Sequence, residues 1–64
     1  MQQQLDEFTT YRLKRIAVTF CKIHKSKGRK AGATYLNTMN IKEEHYPIVR
    51  DLIERRLTEM GLSL

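Results

Sequence analysis

Residues 5–24, LDEFTTYRLKRIAVTFCKIH, decide the fold. Leu5, Thr9, Leu13, Ile16, Phe20 and Ile23 recur at steps of three and four, the repeat that lines up side chains on a helix turning about 100° per residue. Ala17 and His24 flank that stripe. Asp6 and Glu7 stand near its start and Lys22, Lys25 and Lys27 near its end, the order a helix dipole favours. Gly28 is the natural stop. The spacing predicts a long N-terminal helix.

After Gly28, the apolar positions Ala31, Tyr35, Leu36 and Met39 predict a short helix over 30–39. Thr34 and Tyr35 would also suit a strand, but the chain offers no second strand to pair with it. Asn40 marks a turn. NIKE, residues 40–43, has the spacing of a capping box, in which Asn40 accepts from first-turn amides and Glu43 reaches back. Proline is tolerated only in the first turn of a helix, so Pro47 sets the third helix at Pro47 to Met60 after a turn at Ile41 to Tyr46. Gly61 ends that helix, and Leu62 is placed for a C-cap apolar contact.

The expected fold class is therefore all-α: one small domain over residues 1–64, with a long first, short middle and C-terminal helix, and a helix-turn-helix-like corner. On the third helix Ile48, Val49, Leu52, Ile53, Leu57 and Met60 cover roughly half the circumference. So wide a face is expected either to lie across both other helices or to keep part of its width for a second copy, and a homodimer is expected.

A chain of 64 residues removes only about 60% of its unfolded surface from water on folding, so its core is small. Cys21 is the single cysteine. It excludes an intramolecular disulfide and fits a reducing compartment. No stretch approaches the roughly 20 apolar residues of a membrane span, and Met1 to Glu7 is polar where a signal peptide would be basic and then apolar. The chain reads as a complete cytoplasmic protein.

The net charge is +5, and its distribution is lopsided. No Asp or Glu occurs from Phe8 to Lys42, a window holding Arg12, Lys14, Arg15, Lys22, Lys25, Lys27, Arg29, Lys30 and Lys42. From Glu43 onward the balance reverses. Arg12, Arg15, Thr19, Lys22 and Ser26 recur at helical steps opposite much of the apolar stripe. A solvated face usually mixes signs, because opposite charges four apart stabilise a helix by a few tenths of a kcal/mol. This face forgoes that gain, which suggests an anionic partner.

The stretch HKSKGRKAG, residues 24–32, joins the face as a basic loop. Gly28 and Gly32 would let the backbone approach an anion, and amides opening the second helix point towards one. The stretch matches neither the P-loop nor the dinucleotide-binding glycine pattern, so nucleotide hydrolysis is not expected. Phe8 and Tyr11 lie beside the face as stacking contacts or core edges. Duplex DNA is the expected ligand, held at its phosphates by Arg12, Arg15, Lys22, Lys25, Lys27, Arg29 and Lys30.

The alternative is an adaptor or inhibitor, of the kind phages and mobile elements carry, docking on a protein through Arg56, Leu57 and Ile53. Arg56 projects into the apolar arc of the third helix, where its stem packs or its guanidinium anchors a partner. Residues 33–49 resemble a helix-turn-helix, with Tyr35, Met39, Ile41, Tyr46 and Val49 at its buried positions and Asn40 at its turn. Leu36, where a small residue is usual, Pro47 and the acidic Glu43 and Glu44 depart from that pattern. Residues 38–57, TMNIKEEHYPIVRDLIERRL, also resemble the helical hairpin of the Sda family of small bacterial sporulation-kinase inhibitors. A hairpin turn, spaced aliphatics and a terminal Arg pair are shared. The resemblance implies a protein-inhibitor function, and no residue role is carried over from it.

Catalysis is the least expected class. Cys21 and His24 share a helical turn and His45 could approach, but structural zinc takes four ligands and catalytic zinc three in a pocket. No serine, histidine and carboxylate set stands out, and the expectation is a non-enzymatic protein without cofactor or metal.

Overall fold

The computed structural model describes residues 6–62 and consists of three α-helices: α1, Glu7–Lys27; α2, Arg29–Thr38; and α3, Tyr46–Glu59, which a 3₁₀ turn at Glu43–His45 introduces. No strand occurs among the described residues. Leu5, the first position of the apolar stripe, lies outside them.

Helix α1 begins where Asp6, in extended conformation, accepts a 2.6 Å hydrogen bond from the Thr9 amide. Hydrogen bonding from the Thr9 side chain, and then from its amide, holds the Asp6 carboxyl below the usual aspartate range. Leu13, Ile16, Ala17, Phe20 and Cys21 form the buried face, while Thr9 and Ile23 are half-buried at its margins.

The stretch 24–32, expected as a loop, is a one-residue corner between helices. Gly28 ends α1 and opens α2, with φ 99° and ψ 175°, a region essentially closed to residues with a Cβ. Its amide donates to the His24 carbonyl at 3.0 Å. Its φ and ψ reverse the chain, so no further connector is needed.

Helix α2 runs back along α1. Gly32 sits over the Phe20 ring, and the Met39 carbonyl accepts a 3.0 Å bond from the Arg12 guanidinium. A Cβ on Gly32 would stand 2.7 Å from Phe20 Cε2 and within 3.2 Å of two more ring atoms. Gly32 is therefore a contact point between helices and not part of an anion cradle, which corrects its sequence reading.

Asn40 takes the left-handed conformation, with φ 50°, as the turn predicts. The capping box does not form: Lys42 caps the 3₁₀ turn, and no side chain caps it or α3. Pro47 lies in the first turn of α3 as expected. At the other end, Gly61 (φ 75°) donates to Thr58 at 3.0 Å and Leu62 to Leu57 at 2.8 Å, the pair of bonds of a Schellman motif.

Helices α2 and α3 each pack on α1, and their backbones do not approach one another. A cleft of about 250 Å³ separates them, lined by Phe20, Leu36, Tyr46, Val49, Arg50 and Ile53. The wide apolar face of α3 thus lies mainly on α1. Val49, Ile53 and Leu57 are buried, Ile48 and Leu52 pack against the margin, and Met60 is exposed.

Two outcomes are expected. Gly32→Ala gains up to about 1 kcal/mol of helix propensity but overpacks the Phe20 ring by about 1–3 kcal/mol, so the melting temperature falls, and Phe20→Leu in the same chain restores part of the loss. A melting temperature raised by Gly32→Ala alone would contradict the close approach. The Asp6 cap contributes stability above the ordinary aspartate value near pH 4, which is lost as pH falls through the lowered folded value. Asp6→Asn keeps an accepting oxygen without a titrating proton, so melting profiles between about pH 5 and 2 should be flatter in that variant.

Candidate nucleic-acid interface

A seven-residue step returns a side chain to within about 20° of its starting direction on a helix. Phe8, Arg15 and Lys22 therefore form one stripe of α1, and Tyr11, Val18 and Lys25 a second stripe beside it. The first faces away from Leu13, Ile16, Ala17, Phe20 and Cys21, and the second turns towards α3 at Val18, which is half-buried in the groove between α1 and α3. Along the axis, Phe8 to Lys22 covers about 21 Å. Lys27, Arg29 and Lys30 flank the corner at Gly28, Lys27 at the end of the Leu13–Phe20 stripe, and Arg15, Lys22, Lys25 and these three are all exposed.

Of the seven expected phosphate contacts, Arg15, Lys22 and Lys25 lie on the outer side of α1, and Lys27, Arg29 and Lys30 are exposed at the corner where α1 meets α2. Arg12 is different. Its guanidinium is exposed, but it donates to the Met39 carbonyl at the end of α2, joining residues 27 apart in sequence. The orphan carbonyls at a helix C-terminus attract a cation, so Arg12 has a structural use that helical spacing alone cannot show. Ser26, read as part of the same face, turns its hydroxyl back onto the Lys22 carbonyl at 2.9 Å.

The ion pairs are segregated. Arg50 pairs with Glu54 at 3.5 Å, Arg55 with Asp51 at 3.1 Å and His45 with Glu44 at 4.0 Å, all within the 3₁₀ turn and α3. Among the described residues no ion pair involves a lysine or arginine of α1 or α2. Helix α2 adds to the imbalance. Its N-cap, Gly28, has no side chain, and Arg29 and Lys30 occupy the first turn, where the dipole favours negative charge.

The residues expected to meet a protein partner do not share a surface. Ile53 and Leu57 are 2% and 1% exposed and belong to the core, because both face α1 across the α1–α3 contact. This corrects their reading as docking residues: their substitution would perturb folding. Arg56 alone is exposed, lining a groove between α1 and α3 with Lys14, Ala17, Val18 and Leu52. Of the five helix-turn-helix positions, Val49 is buried, Tyr35, Met39 and Ile41 are half-buried, and Tyr46 is 42% exposed.

Cys21 is buried, and its thiol donates weakly to the Ile53 carbonyl at 3.9 Å. Burial pushes the thiol up from its ordinary range, while the Arg56 guanidinium pulls the other way. A protonated, enclosed thiol packs as a small apolar group. Among the described residues no group of three or more His, Cys, Asp or Glu could hold a metal ion. Nor is any described helix long and apolar enough to cross a membrane.

The fold and this face describe a small all-α domain with one unpaired basic edge. No protein-family model, no curated protein and no solved structure matches the chain.

Because Arg12 supports α2, Arg12→Ala should destabilise the fold by about 1 kcal/mol in urea unfolding. Arg15→Ala, on the outer stripe, should leave stability within about 0.5 kcal/mol. Equal effects would place the two arginines in the same role.

Proposed function

We propose that this protein binds nucleic acid at its phosphates through the outer face of α1 and the corner at Gly28. The observation that carries the reading is charge segregation: in α3 Asp51 and Glu54 pair with Arg55 and Arg50, whereas Arg15, Lys22, Lys25, Lys27, Arg29 and Lys30 have no carboxylate partner among the described residues. Such an edge attracts a polyanion and exchanges its condensed counterions for side chains. The uncapped first turn of α2 adds amides and a positive dipole end at the same place. Duplex DNA is the first ligand to try, since phosphate contacts position a protein without reading sequence.

A second reading, an adaptor or inhibitor docking on a protein, rests on Arg56 and Lys14, which line one groove with Ala17, Val18 and Leu52. Arg56→Ala separates the two: it should leave nucleic-acid binding intact and abolish docking.

The test is fluorescence anisotropy of a labelled random-sequence duplex titrated at several salt concentrations. Six phosphate contacts give a slope of log affinity against log salt of about −5, and the variant K27A/R29A/K30A should flatten it by roughly 3. An unchanged slope in the folded triple variant would remove the corner from the interface. No binding at low salt would end the phosphate reading.

A further inference from the structure

We propose that Phe8 and Tyr11 form a stacking platform for unpaired bases, so that the protein prefers single-stranded nucleic acid to duplex. This rests on the phosphate reading of the same face and adds a second kind of contact to it. Phe8 is 76% exposed and Tyr11 63%, the two largest values among the exposed large hydrophobic residues. They are three residues apart and so neighbours on α1, Phe8 on the stripe that continues through Arg15 and Lys22, and Tyr11 on the one that continues through the half-buried Val18 to Lys25.

The cations beyond the aromatics on those stripes select the ligand. A partner helix laid on this face would meet Arg15, Lys22 and Lys25 where a helix seam carries aliphatics, and it would have to bury those charges or pair each of them. A nucleic-acid strand meets the same residues with phosphates, and its bases meet the rings. In duplex the π-faces of the bases are already covered by their neighbours, so an aromatic ring gains a contact only by unstacking a step. In a single strand those faces are open, and every base has one.

The face also has a direction. Glu7, exposed one turn before Tyr11, opposes phosphates at the aromatic end, while the cations lie from Arg15 towards the corner. Bases are held over Phe8 and Tyr11, and the backbone leads along Arg15, Lys22 and Lys25.

The experiment compares labelled oligothymidylate with the random-sequence duplex, using the wild-type protein and the Phe8→Leu, Tyr11→Leu and Phe8→Trp variants, with circular dichroism checking that each is folded. Wild type should bind the strand more tightly than the duplex. Each leucine variant should lose about tenfold in affinity for the strand, with duplex affinity and salt slope unchanged. Phe8→Trp should keep strand affinity and show quenched emission on binding. Full strand affinity in both leucine variants, with a steep salt slope, would overturn the platform and leave the phosphate reading standing. Equal losses for strand and duplex would overturn the preference. No binding of either ligand by wild type would overturn both readings.

Discussion

The contact between Phe20 and Gly32 is the constraint on which the other features depend. The absence of a Cβ on Gly32 brings the α2 backbone down onto the Phe20 ring, and the same ring stacks on His24 and lines the cleft beside Val49 and Ile53. One side chain thus sets where α2 lies and forms part of the wall that faces α3. With α2 and α3 both packed on α1, the surface of α1 left to solvent includes Phe8, Tyr11, Arg15, Lys22 and Lys25. The core therefore dictates where the basic face lies. That face needs no contact of its own to hold it.

Charge behaves differently in the two halves, and the energies involved explain how that is tolerated. An exposed pair four residues apart on a helix contributes only about 0.3–0.5 kcal/mol, so α1 and α2 lose little by having none. What they lose in stability is smaller than the contribution of a single buried side chain. A sequence can therefore carry an unpaired basic edge almost neutrally for folding. Arg12 marks the boundary of that argument. It looks like a member of the edge, yet its guanidinium satisfies a helix C-terminus, and its removal reaches the fold.

Local signals were legible in the sequence, and long-range ones were not. The apolar stripe of α1, the stop at Gly28, the left-handed Asn40, Pro47 in a first turn and the Gly61–Leu62 cap each depend on residues within one or two turns, and each stands in the structure. The bond from Arg12 to Met39 and the seat of Gly32 on Phe20 join residues 27 and 12 apart, and no helical period reports them. Gly32 shows why composition misleads: two glycines among basic residues suggest an anion loop, but only Gly28 needs its conformational freedom, and Gly32 needs only its missing side chain. The wide face of α3 likewise has a periodicity that cannot say which residues the core takes. Ile53 and Leu57 go inside because α3 crosses α1, leaving Arg56 at the rim.

The same geometry limits the chemistry open to this domain. Its single thiol is enclosed between α1 and α3, and burial pushes it up from its ordinary range. Its cleft between α2 and α3 is small and lined mainly by apolar side chains. The outer side of α1 carries exposed cations, Arg15, Lys22 and Lys25, and two exposed rings, Phe8 and Tyr11. That combination supports the proposed polyanionic ligand, since phosphates suit the cations and open bases suit the rings.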